Sequence, residues 1–128
     1  MDANPDHLRY APTHEWVNEE EGNEMTVGIT DFAQDQLGDV VFVSLPTPGS
    51  QFEAGDVCMF IESVKSASDI HMPVTGTILS VNQELEQDPE LVNQDAFGAG
   101  WLFKLSADET ASSEHLLDSF TYDAALDE

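Results

Sequence analysis

Turn-forming residues break this chain into pieces too short for long helices: Glu21-Gly22-Asn23, Gly38, Pro46 with Pro48 and Gly49, and Gly55-Asp56. Glycine and asparagine tolerate positive φ, so 15–20 and 24–29 read as two strands of a hairpin closed at Gly22-Asn23. Residues 40–45, 77–81 and 101–105 read as further strands, as do 57–61 and 68–72 on either side of Lys65. Many short strands with turn signals between them predict a mainly β fold, a small antiparallel sandwich or flattened barrel with short helices added. Asp31, with Gln34 three residues on, predicts a capped helix that Gly38 ends after Leu37. Residues 84–99 read as an acidic loop in which Pro89 opens one helical turn. Ser112 or Ser113 is expected to cap a C-terminal helix with Leu116, Leu117 and Phe120 on one face, residues 122–126 extending it or forming a separate turn.

A chain of 128 residues is the size of one domain and can bury roughly two thirds of its unfolded surface. We expect a single domain over 1–128, with 1–9 as an N-terminal segment and 112–128 as a C-terminal helical segment. Its one cysteine, Cys58, cannot form an internal disulfide, and its place in an apolar strand predicts a buried, inert thiol. No stretch is long and apolar enough to span a bilayer, and residues 1–10 lack the pattern of a leader, so a soluble, cytoplasmic monomer is expected.

Charge excludes a further class of function. Twenty-six acidic residues stand against three basic ones, a net of −23 spread from Asp2 to Glu128, and such a surface repels nucleic acid. At molar salt the Debye length falls to roughly 3 Å and these charges hardly sense one another. The even spread therefore favours adaptation to a halophilic, salt-rich interior over an acidic docking face. His7, His14, His71 and His115 are too widely spaced to suggest a metal site, and there is no phosphate loop or serine elbow.

Against that background Lys65 stands out. Only Lys104 and Arg9 share its charge, and it sits at the bend between two strands, where a side chain is displayed to other proteins. A turn lysine is most simply a solvated charge, but its primary amine is also what acylating enzymes modify. A Schiff-base role would need a desolvated pocket, the opposite of an exposed tip. Lys104, within Trp101-Leu102-Phe103-Lys104-Leu105, is most simply the outward residue of an alternating strand.

The stretch Glu62-Ser63-Val64-Lys65-Ser66-Ala67-Ser68-Asp69-Ile70, followed by Pro73-Val74-Thr75-Gly76, resembles the lipoyl-attachment hairpin of the glycine cleavage system H proteins. His14-Glu15-Trp16-Val17 agrees with the family in order and spacing, as do residues 27–34 with 37–43, and Gly100-Trp101-Leu102 with Lys104. The resemblance thus runs from about Tyr10 to about Tyr122. Ser66 departs from the family's common alanine, and His71-Met72 stand where smaller or more polar residues are usual.

The resemblance implies a lipoyl-domain-like fold, the barrel-sandwich hybrid. Gly38-x-Val40 with Val43 and Gly76-x-Ile78 with Val81 look like echoes of its two-fold pseudosymmetry. It also implies a non-catalytic carrier, with lipoic acid in amide linkage to Lys65 and the chemistry left to its partners. These are a pyridoxal-phosphate glycine decarboxylase (P protein), a folate-dependent aminomethyltransferase (T protein), a flavin-dependent dihydrolipoamide dehydrogenase (L protein) and the lipoate-attaching enzymes. In the family the arm, loaded with an aminomethyl group, folds into a cleft on the carrier. The matching positions are Thr13, where serine is more usual, Glu15 and Asp69. The alternatives are a relay that passes lipoate to other enzymes, the lipoyl domain of a 2-oxo-acid dehydrogenase and a biotinyl carrier. The biotinyl hairpin sets methionines around its lysine where this chain has Val64 and Ser66, and neither of these other carrier domains normally has His14-Glu15-Trp16.

Overall fold

A computed structural model describes residues 4–20, 22–109, 111 and 115–126. Its strands in chain order are β1 (Arg9–Tyr10), β2 (Glu15–Glu19), β3 (Glu24–Ile29), β4 (Val40–Ser44), β5 (Gln51–Phe52), β6 (Val57–Ser63), β7 (Ala67–His71), β8 (Gly76–Val81) and β9 (Phe103–Ala107). The helices are α1 (Asp31–Leu37), α2 (Glu84–Gln87), α3 (Leu91–Gln94) and α4 (Ser119–Leu126). One sheet runs β1-β2-β3-β9-β8-β5 and the other β4-β6-β7, all neighbours antiparallel. The sheets keep open edges, so the fold is a sandwich and not a closed barrel.

Alternation along the strands builds the core. Val17, Val27, Ile29, Ile78, Phe103 and Leu105 of the larger sheet and Val43, Met59, Ile61 and Ile70 of the smaller one are buried in one cluster. Each such side chain contributes about 1.5–3 kcal/mol on leaving water. A second cluster joins Leu8, Tyr10 and Trp16 to Tyr122 of α4, with the Tyr10 and Tyr122 rings stacked at 4.8 Å. Trp16 fits there because it crosses Gly28, its partner on β3, where a Cβ would come within 2.5 Å of the indole. The indole nitrogen donates to the Ala96 carbonyl at 2.8 Å.

Several elements differ from the sequence reading. Thr30, not Asp31, caps α1: its extended backbone turns the hydroxyl toward the Ala33 amide at 3.2 Å. Gln34 donates to the Asp31 carboxylate at 2.8 Å, a pair within the helix in place of a capping box. Gly38, at φ 80, ends the helix as expected. The acidic loop contains two helical turns, α2 and α3, because Leu85 and Val92 each drive one turn into the core. The last strand is shifted toward the C-terminus, since the Trp101 amide closes a turn on Gly98 before pairing begins.

The C-terminal helix begins only at Ser119, with the Asp118 carboxylate accepting from the Thr121 amide at 2.8 Å. Leu117 instead exchanges both backbone bonds with Tyr10, and Phe120 is exposed, so the expected apolar stripe does not form. The Ser112 and Ser113 cap lies outside the described residues. β1 and β5, two residues each, have no sequence signature at that length. No helix among the described residues is long and apolar enough to cross a membrane.

Candidate functional site

Lys65 lies in the turn between β6 and β7, where Glu62 faces Ala67. The Ser63 amide donates to the Ser66 carbonyl at 2.8 Å, and the Ser63 hydroxyl accepts from the Ser66 amide at 3.1 Å. A serine closing the turn through its own side chain lets it form without glycine, and neither Val64 nor Lys65 takes a positive φ. The Val64 amide donates to the Asp39 carbonyl at 3.0 Å, which anchors the tip beside the end of α1. The lysine stem passes over Gly38, where a Cβ would lie 3.1 Å from Lys65 Cε.

The amine itself is free for chemistry. Lys65 is exposed, and no hydrogen bond or ion pair holds its Nζ among the described residues. Lys104 differs, with its Nζ 3.7 Å from Glu20 and 5.8 Å from the Trp101 ring centre.

From the turn, a cavity of about 370 Å3 runs along Ser66, Ala67 and Ser68 on one side and Phe32 and Leu37 of α1 on the other. It reaches Thr13 and His14. Thr13 also borders a second cavity of about 440 Å3, walled by Glu15, Gly55, His71, Pro73 and His115. The two spaces share Thr13, in the loop between β1 and β2.

Glu15 is 1% exposed. Its Oε1 accepts from the Thr13 hydroxyl and its Oε2 from the His71 amide at 3.1 Å. Burial pushes the Glu15 carboxyl above its ordinary range, an effect that the Thr13 and His71 bonds only partly offset. An incoming cation would meet a carboxylate short of charge compensation. Thr13 and Glu15 are thus brought together, while Asp69 is exposed on β7 and lines neither cavity.

Sequence reasoning missed the groups that hold this loop in place. His14 adopts a positive φ of 78 while its Nδ1 lies 2.6 Å from the Tyr122 hydroxyl, itself 2.8 Å from the Thr30 hydroxyl. Burial pushes the His14 imidazole down, toward its neutral form. One proton order satisfies every group: Ala33 N–H to Thr30, Thr30 O–H to Tyr122, Tyr122 O–H to His14 Nδ1. The chain of bonds fixes Thr13 and Glu15 from below, and nothing in the local sequence signals a partner 108 residues away. His71 stood out in the sequence only as part of the His71-Met72 departure from the family pattern, with nothing to pair it with Glu15.

Cys58 is buried, donates to the Ile70 carbonyl at 3.5 Å, and has its thiol pushed up to about 12 by burial and by the Glu15 charge. Among the described residues no group of histidine, cysteine and carboxylate side chains is placed to hold a metal ion.

Residues 8–128 match the family profile described as glycine cleavage H-protein. A glycine cleavage system H protein of Aeromonas hydrophila is 53% identical over 124 residues, covering 97% of this chain and 96% of the relative. One from Acinetobacter baumannii is 52% identical over 122 residues, covering 95% and 98%. The crystal structure of a glycine cleavage system H protein from Mycobacterium marinum superposes with a TM-score of 0.89 at 36% identity, over 98% of this chain and 100% of that one.

Proposed function

The chain belongs to the glycine cleavage H-protein family, the non-catalytic lipoyl carriers of glycine cleavage, and from that membership we propose that Lys65 is the residue that carries its lipoic acid. The observation that carries the assignment is the amine itself: exposed, without a partner among the described residues, and at the tip of a turn braced by Ser63 and Asp39. Amide linkage there would hang the dithiolane on a long tether and keep it at high effective concentration between successive partner sites. The oxidised arm takes the aminomethyl group from the glycine decarboxylase, passes it to the aminomethyltransferase, and is reoxidised by dihydrolipoamide dehydrogenase. The fold supplies position and shelter, with Thr13 and Glu15 receiving the loaded arm and Asp69 at the hairpin's edge.

Peptide mass measurement on protein co-expressed with a lipoate-attaching enzyme tests the assignment. The lipoyl mass is expected on Lys65 and absent from Lys104, Arg9 and the N-terminus; a lipoyl mass on Lys104 instead would reverse it. The expected setting is a cytoplasmic monomer of one domain spanning 1–128, with no nucleic-acid partner.

A separate feature, the net charge of −23, supports adaptation to high salt. The reading rests on the charge of this chain alone. Melting midpoints should rise from dilute buffer to molar potassium chloride at neutral pH. A flat response removes it.

A further inference from the structure

His71 has a polar atom with nothing to do. Its Nδ1 is buried and has no hydrogen-bond partner, yet it lies 3.6 Å from Glu15 Oε2, too far for a bond and close enough to share one guest. The His71 amide already donates to the same oxygen at 3.1 Å, which fixes the last residue of β7 against the carboxylate. Thr13 takes Oε1, which leaves Oε2 and Nδ1 as neighbouring acceptors on two residues that line the same cavity. A primary ammonium has three donors and can satisfy both at once.

We propose that His71 is a positioning residue of the arm cleft, its Nδ1 lone pair and the Glu15 carboxylate together seating the ammonium end of the loaded arm. The inference rests on the reading of Glu15 as the arm's receptor and adds to it a second acceptor. The seat offers one negative charge and one lone pair to one cation.

The other titratable groups around the pair come from every packed element. They are Asp69 on β7, Asp56 and Cys58 beside and within β6, His14 on the β1–β2 loop, His115 of the C-terminal segment, and Tyr122 of α4. His115 is engaged with the Pro73 carbonyl at 2.6 Å and His14 with Tyr122, so neither ring is free to replace His71.

The consequence is chemical. Loss of the group from the loaded arm is a hydrolysis: water attacks the methylene carbon, the carbon–sulfur and carbon–nitrogen bonds break, and thiol, formaldehyde and ammonium result with no change of oxidation state. A seated ammonium keeps that carbon inside the cleft, away from water.

The test measures formaldehyde release from the loaded holoprotein relative to loaded free dihydrolipoamide at the same pH, which removes the intrinsic pH dependence of the adduct. His71→Leu removes the acceptor, and release should rise roughly tenfold, the size of one hydrogen bond to a charged group. His71→Asn places an amide oxygen near the Nδ1 position, so its protection should be close to wild type. Wild-type protection in His71→Leu, or a loss in His71→Asn equal to that in His71→Leu, overturns the proposal. Glu15→Gln, measured alongside, separates the two levels. If it keeps full protection, the cleft reading itself falls; if it loses protection while the His71 variants do not, only the role of His71 falls.

Discussion

The turn at Lys65 closes on bonds between residues three apart, Ser63 and Ser66, whereas the cleft at Glu15 closes on bonds to His71, 56 residues away, and through His14 to Tyr122, 108 residues away. The first is exposed and its amine has no partner among the described residues; the second is buried and nearly every polar atom in it is held. The proposed attachment site needs only a stable pedestal, and a four-residue turn with a serine strut supplies it. The proposed arm cleft needs walls, and those come only from tertiary packing. The difference predicts that damage to the tip stays local and damage to the cleft spreads into stability.

Lys65→Arg should show the sharpest separation. Arginine keeps the charge and has no acylatable amine, so lipoylation and glycine cleavage with the partner enzymes should fall to background while the unfolding free energy stays within about 0.5 kcal/mol of wild type. A clear drop in stability would mean that the tip is braced through its lysine as well as through Ser63.

Next comes the support of the cleft. Gly28→Ala places a methyl within 2.5 Å of the Trp16 indole, and β2 must shift or the indole must leave Ala96. A cost of about 3 kcal/mol is expected by urea unfolding. Because Trp16 follows Glu15 directly, protection of the loaded arm should fall with it. Normal stability together with normal protection would show that the second cluster does not position the cleft.

Tyr122→Phe should cost less, about 1–2 kcal/mol, by stranding the hydroxyl of Thr30, which is fully buried, and the His14 Nδ1. His14, at its positive φ, then keeps its backbone bonds to Ala11 and Thr30 and loses its side-chain bond. Lipoylation of Lys65 should be untouched and arm protection reduced, the opposite split from Lys65→Arg. Equal protection in the two proteins would detach α4 from the site.

The same contrast governs what the sequence disclosed. The β2–β3 hairpin, the end of α1 at Gly38 and the bend at Lys65 are written in neighbouring residues, and local chemistry decides them. Thr30 and Asp31 are both good caps, and only the backbone direction at Thr30 chose between them. Leu116, Leu117 and Phe120 have helical spacing, yet Leu117 gains more by pairing with Tyr10 than by joining a helix, a choice made 107 residues away from the partner. Thr13 and Glu15 could be placed in the cleft only through family resemblance. His71 was legible only as a departure from the family pattern, and the partners of His71 and Tyr122 were not legible, since a histidine in a strand and a tyrosine in a helix announce none.

The smallest expected effect is a slope with pH, and it tests whether the cleft is built for a cation. Burial raises the folded-state pKa of Glu15 above its ordinary value of 4.5. The folded protein therefore binds this proton more tightly than the unfolded chain does. The stability due to protonated Glu15 is fully present below about 4.5 and is lost as the pH rises through the raised folded value. The other carboxylates titrate in both proteins, so the quantity to follow is the unfolding free energy of wild type minus that of Glu15→Gln. It should decline from about pH 4 toward neutrality with a slope below the one-proton bound of about 1.4 kcal/mol per pH unit, because the Thr13 and His71 bonds offset part of the burial. A difference that grows with pH would mean that those two bonds already compensate the charge, leaving no need for an ammonium. In the loaded carrier the decline should flatten, since the arm then brings the missing cation to the carboxylate.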